Sequence, residues 1–256
     1  AKIAGKACKW IQKFYHINNP SRKLSYTSQL LSLALLRRVA DVFIGCSQES
    51  VDLLKKRGFP ESLLYVVKPG VNLAYLKPSE SSEYDAISLG RIHPSKGIDD
   101  LFPVWQKVLK HKPEAKLGLI GKGDEKTMSS YQEKIEEYGL SEHIKMLGFL
   151  PDNEVYNLLS TTRFMIFPSH EEGYGMAVAE ALANGCRVLS YDLHVFKKEF
   201  GDSIVRVPCY NLEIFAEKVI KYLECSKEEN IEPQNIRTWE QASIEEFEII
   251  TNQFST

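Results

Sequence analysis

Two pairs of residues in this chain have the types and spacing that bind an anionic, polyhydroxylated ligand. Arg91 and Lys96 lie in a glycine-containing loop, GRIHPSKG, and Glu172 and Glu180 flank a glycine-rich turn, EGYGMAVAE. Two cations beside a helix N-terminus suit a diphosphate, because backbone N–H groups and positive side chains both attract phosphate oxygens. Carboxylates accept hydrogen bonds from hydroxyl groups, so the glutamates suit a sugar or a ribose.

Each of these segments also has a simpler explanation. Arg91 and Lys96 can be two surface cations, and Glu172 can compensate a helix dipole while Glu180 faces solvent. A third loop, GKGD at 121–124, resembles a shortened dinucleotide fingerprint, but a tight strand-to-helix turn explains it equally well. The single segments therefore leave the assignment open.

The elements that position these loops alternate along the chain from residue 41 onward. The predicted strands cover 42–46, 64–67, 84–89, 115–120, 144–147, 164–167, 187–191 and 204–207. The predicted helices cover 48–57, 97–111, 125–138, 152–160, 175–184, 211–224 and 235–251. This alternation predicts an α/β fold with a doubly wound, Rossmann-like parallel sheet. Ligands of such sheets bind beyond the carboxyl ends of the strands, where the loops above begin.

The length of 256 residues fits one domain plus part of a second. A segment rich in proline and serine at 68–83 predicts a linker, and residues 84–234 contain enough βα units for one doubly wound domain. Residues 1–67 contain too few strands for an independent sheet domain, so we interpret them as a partial N-terminal domain. Residues 235–256 are expected to form a C-terminal helix.

Composition and charge argue against several classes of protein. Apolar residues make up 43% and charged residues 26%, as in ordinary globular domains, and the net charge of −2 provides no overall basic field for nucleic acid. The five cysteines are an odd number without a CxxC pair, so neither a zinc site nor a disulfide framework is predicted. No apolar run approaches the ~20 residues that span a bilayer. We expect a cytoplasmic protein with reduced thiols.

The first 40 residues differ in charge from the rest of the chain. They carry eight basic residues and no acidic one, so the remaining residues carry a net charge of −10. Four lysines recur at helical spacing beside apolar residues and predict a basic amphipathic helix over 2–14: Lys2, Lys6, Lys9 and Lys13. Such a helix either packs on its neighbours or makes peripheral contact with an anionic membrane.

Taken together, the motifs resemble the retaining glycosyltransferases of family 4. EEGYGMAVAEALANG resembles the E-x7-E signature of that family, with Glu172 and Glu180 as its two glutamates. GRIHPSKGIDDL resembles its phosphate loop, and LGFLPDNEVYNLL resembles the segment that lines its nucleobase pocket. The resemblance covers about residues 40–251, and the motifs occur in the order found in the family.

The resemblance implies the GT-B fold, in which two Rossmann-like domains face a cleft and the C-terminal domain binds most of the sugar-nucleotide donor. It implies that Arg91 and Lys96 bind the donor diphosphate and that Glu172 contacts the transferred sugar; these three are the expected catalytic residues. The donor-binding residues that it implies are Gly90, Gly148, Phe149, Leu150, Gly173, Tyr174, Gly175, Met176 and Glu180. Glu180 would hold the ribose hydroxyls, and Tyr174 replaces a phenylalanine common in the family.

The implied reaction transfers a hexose from a nucleoside diphosphate sugar, such as a UDP or GDP sugar, to the hydroxyl of a glycan, lipid-linked or small-molecule acceptor. The chain lacks an Asp-x-Asp motif, in agreement with the metal-independent, cofactor-free catalysis that the resemblance implies. This chain would supply mainly the donor site, because acceptor recognition lies largely in the first domain. The alternatives are a non-catalytic nucleotide-sugar-binding module and a GT-B epimerase or phosphorylase.

Overall fold

The computed structural model describes residues 11–14, 23–72, 82–224 and 236–254. The contacts divide the chain into two compact units. The first unit comprises Ala1–Gly70, Glu172–Tyr174 and Arg237–Thr256, and the second comprises Val71–Glu171 and Gly175–Ile236. The domain boundaries inferred from the sequence stay predictions.

Strands and helices alternate through most of the described residues. The strands are β1 (Ile11–Phe14), β2 (Val42–Gly45), β3 (Leu64–Val66), β4 (Ala86–Leu89), β5 (Leu117–Ile120), β6 (Ile144–Gly148), β7 (Phe164–Phe167), β8 (Arg187–Tyr191) and β9 (Val205–Val207). The helices are α1 (Lys23–Val39), α2 (Gln48–Lys56), α3 (Ile98–Leu109), α4 (Glu125–Glu137), α5 (Asp152–Thr161), α6 (Met176–Ala183), α7 (His194–Glu199), α8 (Leu212–Glu224) and α9 (Trp239–Phe254). The α/β prediction is confirmed, whereas the six-residue helix α7 is absent from the sequence-based prediction.

The first unit contains a parallel sheet in the order β1-β2-β3. Successive side chains of a strand point to opposite faces, so β2 contributes to two apolar clusters. Phe43 packs with Leu33 of α1 and Leu54 of α2, and this cluster holds those two helices on one face. Ile44 packs with Ala242 of α9 in the other cluster, so α9 covers the opposite face.

The predicted amphipathic helix at the N-terminus is wrong for Ile11–Phe14, which forms a strand. β1 pairs in parallel with β2, and Ile11 lies opposite Val42. The four residues IQKF have no apolar–polar alternation of their own, so the parallel pairing with the buried strand β2 decides their conformation and outweighs the helical spacing of the surrounding lysines. Lys13 forms an ion pair of 2.7 Å with Glu246 of α9. The remainder of the predicted helix, over residues 2–10, lies outside the described residues.

The second unit contains a six-stranded sheet in the order β6-β5-β4-β7-β8-β9, with parallel pairing throughout. Strands β5 and β7 are buried along their whole length. Their sequences, LGLI and FMIF, are apolar throughout because helices cover both faces of a parallel sheet and neither face meets water. The core beneath α3 includes Trp105, which is fully buried and donates its indole N–H to the Ala115 carbonyl at 3.4 Å.

The strand order reverses direction between β4 and β7. β4 pairs with β5 on one side and with β7 on the other, where Ala86 lies opposite Phe164. In an open α/β sheet, such a reversal opens a crevice at the carboxyl ends of the two strands. Three loops begin at this edge: the β4 loop (residues 90–97), the β5 loop (121–124) and the β7 loop (168–175). The topology therefore places the chemically interesting loops at one edge of the sheet.

Candidate active site

The β4 loop is shaped by its own side chains. Nδ1 of His93 accepts a hydrogen bond from the backbone N–H of Ser95 at 3.1 Å and caps a short 3₁₀ turn over Pro94–Lys96. Proline at the first position of this turn favours it, because the fixed φ of proline suits a helical start. Gly97 ends the turn with φ +67° and is the residue immediately before α3. Arg91 lies exposed near the start of the loop.

The β4 loop packs against the backbone of the β7 loop. A Cβ atom at Gly97 would lie 1.9 Å from the carbonyl oxygen of Pro168, so only glycine allows this approach. The backbone N–H of His170 donates to the Ser95 carbonyl at 2.9 Å. Nζ of Lys96 lies 5.6 Å from the centroid of the Phe167 ring, within reach of a cation–π attraction. Lys96 is thus placed at the carboxyl end of β7.

A cavity of about 330 Å³, which we call the switch pocket, opens at the carboxyl edge of the sheet. It is lined by Leu89, Gly90, Arg91, Ile120, Gly121, Lys122, Phe149, Leu150, Asp152, Val155, Tyr156 and Glu180. Five residues predicted from the sequence meet here, namely Gly90, Arg91, Phe149, Leu150 and Glu180. The pocket therefore combines cationic, carboxylic and aromatic side chains in one volume.

Glu180 is a carboxyl group of the switch pocket with altered acidity. It lies in the middle of α6, where burial and then the nearby charge of Asp152 raise its pKa to about 7. Near neutral pH the side chain is therefore divided between its protonated and ionised forms. A protonated carboxyl donates one hydrogen bond and still accepts others, which suits the paired hydroxyl groups of a ribose.

The segment predicted to border a nucleobase lies at the end of β6. The carbonyl of Gly148 accepts a hydrogen bond from the backbone N–H of Gly121 at 2.7 Å, which joins this segment to the β5 loop. Gly148 itself has φ +70° and turns the chain toward Phe149. The side chain of Phe149 is 76% exposed although it lines the pocket, so an aromatic face is available for stacking.

The middle of the β7 loop has a different environment. Glu172, Gly173 and Tyr174 group with the first unit, where the thiol of Cys46 donates to the Gly173 carbonyl at 3.5 Å. Glu172 is half-buried and Tyr174 is buried, with 5% of its surface exposed. These three residues are not among those that line the switch pocket.

The end of the β7 loop forms the start of α6. Gly175 has φ +105°, and a Cβ atom there would lie 2.7 Å from Cε1 of Phe196. Met176 is the first residue of α6 and is half-buried. Both residues are part of the second unit, but like Lys96 and Gly148 they lie outside the lining of the switch pocket.

The sequence reasoning missed three polar residues that line the switch pocket: Lys122, Asp152 and Tyr156. Lys122 belongs to the GKGD loop, and its position directly after a strand was the available signal. Asp152 and Tyr156 lie on one face of α5, four residues apart, within the segment that resembled a nucleobase site. Their identity as lining residues depends on how α5 packs, which no local pattern specifies.

The described part of the chain offers neither a metal centre nor a membrane span. Those residues include no group of three or more His, Cys, Asp or Glu side chains that could hold a metal ion. Across the same residues, every helix is too short or too polar to cross a membrane.

Sequence comparison identifies the family of this fold and pocket. The family model described as glycosyl transferases group 1 matches residues 77–239, which is well over half of the chain. The chain belongs to the glycosyl transferases group 1 family. The switch pocket and all of the predicted donor-binding residues lie within the part that matches the family.

Curated glycosyl transferases resemble parts of the chain. Poly(glycerol-phosphate) alpha-glucosyltransferase of Bacillus subtilis is 28% identical over 149 residues, which cover 56% of this chain and 21% of that enzyme. GDP-mannose:cellobiosyl-diphosphopolyprenol alpha-mannosyltransferase of Xanthomonas campestris is 23% identical over 197 residues, covering 75% of this chain and 51% of that enzyme. The chain thus spans about a fifth to a half of the length of these relatives.

Solved structures of GT-B glycosyltransferases share the fold. HepE of Anabaena, in complex with UDP-glucose, superposes with a TM-score of 0.81 at 18% identity, over 95% of this chain and 72% of HepE. TarM of S. aureus, in complex with fondaparinux, alpha-GlcNAc-glycerol and UDP, gives a TM-score of 0.74 at 16% identity, over 87% of this chain and 45% of TarM. The GT-B assignment inferred from the motifs is therefore confirmed, while membership of family 4 and the retaining mechanism stay predictions.

Proposed function

We propose that the second unit binds a nucleoside diphosphate sugar and that the protein transfers the sugar, with retention of configuration, to an acceptor hydroxyl. The observation that carries this proposal is the switch pocket, which combines Arg91 and Lys122 with the half-buried carboxyl of Glu180. Cations suit the diphosphate and the carboxyl suits a hydroxylated ring. The pocket also lies at the sheet edge where doubly wound folds bind nucleotides.

Arg91 and Lys96 would stabilise the departing diphosphate. Cleavage of a glycosyl phosphate bond increases the negative charge on the leaving oxygen, and preorganised cations are most effective where charge develops. Arg91 lines the pocket, and Lys96 is oriented by the short turn that His93 caps. The two cations would provide the charge that a divalent metal supplies elsewhere, so we propose a metal-independent reaction without a cofactor.

The nucleoside would lie between Phe149 and Glu180. The exposed ring of Phe149 would stack on or border the base, and Glu180 would bind the ribose hydroxyls. We propose UDP as the nucleotide, because the solved HepE and TarM complexes contain UDP or a UDP sugar. The mannosyltransferase of Xanthomonas is named for GDP-mannose, which makes GDP the alternative to test.

The β7 loop would complete the donor site along the path of the sugar. Glu172 would contact the hydroxyls of the transferred sugar, with Gly173, Tyr174, Gly175 and Met176 beside the sugar and phosphates. The retaining outcome rests on the resemblance of the E-x7-E motif. The acceptor would be a glycan, a lipid-linked sugar or a small molecule, and peripheral contact with a cytoplasmic membrane through the basic N-terminus stays a prediction.

Isothermal titration of the chain with UDP, GDP and ADP tests the donor proposal. We expect UDP to bind without added metal and to retain its affinity in EDTA. Arg91→Ala should weaken UDP binding, whereas Arg38→Ala, at an exposed arginine of α1, should leave it unchanged. Absence of binding by all three nucleotides would contradict the proposal.

Transfer requires a separate measurement with UDP-glucose and a panel of hydroxylated acceptors. An α-linked product observed by NMR from the α-configured donor supports retention. Binding of UDP without transfer by the full-length protein favours the non-catalytic module. Release of glucose phosphate in the presence of inorganic phosphate favours a phosphorylase.

A further inference from the structure

A hydrogen-bonded cluster joins the β7 loop, α3 and β8, and its residues are not among those that line the switch pocket. Nε2 of His170 in the β7 loop donates to Oδ2 of Asp100 at 2.8 Å, and the hydroxyl of Tyr191 donates to the same oxygen at 2.7 Å. His170 and Tyr191 also stack, with ring centroids 6.0 Å apart and an angle of 24° between the rings. One carboxylate oxygen thus binds side chains from β8 and from the β7 loop.

His170 is attached to the β4 loop and to the start of α3 through two different groups. Its backbone N–H donates to the carbonyl of Ser95, and its ring binds Asp100 in the first turn of α3. Oγ of Ser169 also donates to the Ser95 carbonyl, at 3.3 Å. Since Ser95 precedes Lys96 and Asp100 follows it, the two attachments bracket the lysine along the chain.

The ring of His170 is covered by an aromatic side chain with an unusual backbone. Tyr210 has φ +62°, and its ring centroid lies 4.9 Å from that of His170 and 5.8 Å from that of Tyr191. A bulky residue with positive φ costs free energy, and such strain persists where the surrounding contacts require it. Tyr210 is itself 63% exposed, so it packs against His170 at the protein surface.

The acidity of Asp100 agrees with its role as an acceptor. Burial alone would raise its pKa, but the hydrogen bonds from His170 and Tyr191 and the charge of His170 outweigh burial, and the pKa of Asp100 lies below its ordinary value. The pKa of Tyr191 is raised, first by burial and then by its hydrogen bond to Asp100. Asp100 is therefore ionised over the neutral range, and both neighbours donate to it.

We propose that His170 is a positioning residue that holds Lys96 in the place where it binds the donor diphosphate, by fixing the segment 95–100 at both ends. The proposal rests on the donor-binding function proposed above. A cation that stabilises phosphate charge must be held within a fraction of an ångström, and small displacements reduce binding and rate strongly. His170 itself does not touch the donor in this role.

UDP affinity of three variants, measured by calorimetry, tests the proposal. His170→Ala should weaken UDP binding by ~10-fold, because a contact to an ionised carboxylate is lost and the lysine segment loosens. The UDP affinity of His170→Gln should remain within ~3-fold of that of the unsubstituted protein, since the glutamine amide can replace Nε2 as a donor to Asp100. His143→Ala is the matched control, because that histidine binds the Ala115 carbonyl at the opposite edge of the sheet.

A double-substitution cycle separates positioning from general destabilisation. In a Lys96→Ala background, His170→Ala should change UDP affinity by less than ~2-fold, because its effect passes through the lysine. An equal loss in both backgrounds, or no loss in either, would overturn the proposal. If His170→Ala does not fold, Asp100→Asn provides the same cycle, with the carboxylate charge removed and the side-chain shape retained.

Hydrogen–deuterium exchange tests the positioning role of His170 without bound nucleotide, and therefore independently of donor binding. If the unchanged protein binds no nucleotide, the proposed function fails, but His170→Ala should still increase exchange of the amides of Lys96 and Gly97. Those amides donate to the carbonyls of His93 and Pro94 within the short turn. Exchange in the β5 loop should stay unchanged. Equal exchange of the two amides in variant and unchanged protein would show that His170 does not hold the segment.

Discussion

The β4 loop and the β5 loop occupy equivalent places after a strand but begin their helices differently. Both follow a central strand, contain glycine and lysine, and lead into a helix. Helix α4 begins after Asp124, whose carboxylate accepts the backbone N–H of Thr127 at 2.8 Å. Helix α3 begins after Gly97, which offers no side chain to cap it. The β5 loop thus caps the first N–H groups of its helix with a side chain, whereas the β4 loop does not.

The start of α4, which is capped by a carboxylate, is suited to stabilising the helix, whereas the uncapped start of α3 is suited to binding an anion. At α4 a carboxylate already supplies the negative charge that the helix dipole attracts. At α3 the two acidic residues of the first turn bind other partners: Asp99 contacts Lys134 and Tyr131, and Asp100 contacts His170 and Tyr191. A glycine start with its nearby carboxylates engaged elsewhere is consistent with a phosphate site, and the following substitutions test the distinction.

Gly97→Ala should have the largest effect. The new Cβ would meet the Pro168 carbonyl at 1.9 Å in a left-handed backbone, so we expect a loss of ~3 kcal/mol in the free energy of unfolding and loss of UDP binding. The matched control is Gly139→Ala, where φ is +68° but a new Cβ atom would have no neighbouring atom within 4 Å. The control should lose only ~1 kcal/mol. Urea unfolding measures both values, and equal losses would show that the close approach of the loops is unimportant.

Arg91→Ala should have the next largest effect, on turnover rather than on folding. Removal of one preorganised group that stabilises developing charge typically costs ~100-fold in rate, whereas an exposed arginine contributes little to stability. Lys122→Ala, in the β5 loop, should lower turnover by less than ~10-fold if the β4 loop carries the main cations. Steady-state kinetics with UDP-glucose would rank the two variants. A larger loss for Lys122→Ala would reverse the roles of the loops.

The loops of the candidate site could be predicted from sequence because they depend on short-range patterns. Apolar runs such as FMIF identify buried strands, and glycines directly after a strand identify loops at the carboxyl edge of the sheet. These patterns make Arg91 and Glu180 candidates, the resemblance to the family gives them their expected roles, and both line the switch pocket.

The rest of the site depends on contacts between distant parts of the chain. His170 and Asp100 are 70 residues apart, and their hydrogen bond requires β4 and β7 to be neighbours in the sheet. The helix prediction fails at Ile11–Phe14 for a related reason, since pairing with β2 decides the conformation of that segment. A local period cannot specify which strands pair, so such contacts escape single-sequence reasoning.

Glu180 and Asp124 extend the comparison to acidity, because folding raises the pKa of Glu180 and lowers the pKa of Asp124. Glu180 has an ordinary pKa of 4.5 and a folded pKa of about 7. Between these values the folded chain binds more protons than the unfolded chain, so the free energy of unfolding falls as pH rises through this range. In Glu180→Gln, which cannot ionise, we expect the free energy of unfolding to decrease by ~2 kcal/mol less over this pH range than in the unsubstituted protein. Urea unfolding at pH 4.5 and 7.5 measures it, and identical pH profiles would contradict the burial of an ionisable Glu180.

Asp124→Ala should have the smallest effect and should change stability only. Hydrogen bonds from the backbone and side chain of Thr127 lower the pKa of Asp124, so its contribution is present above its ordinary pKa of 3.8 and disappears as pH falls through its lower folded value. We expect a small decrease in Tm at pH 7 that shrinks in acid, whereas Asp124→Ser, which keeps a capping oxygen, should stay close to the unchanged protein. UDP affinity should remain within about 2-fold in both variants, since α4 starts with a cap rather than a phosphate site. A large loss of UDP binding in Asp124→Ala would mean that the β5 loop, with its capped helix, belongs to the diphosphate site after all.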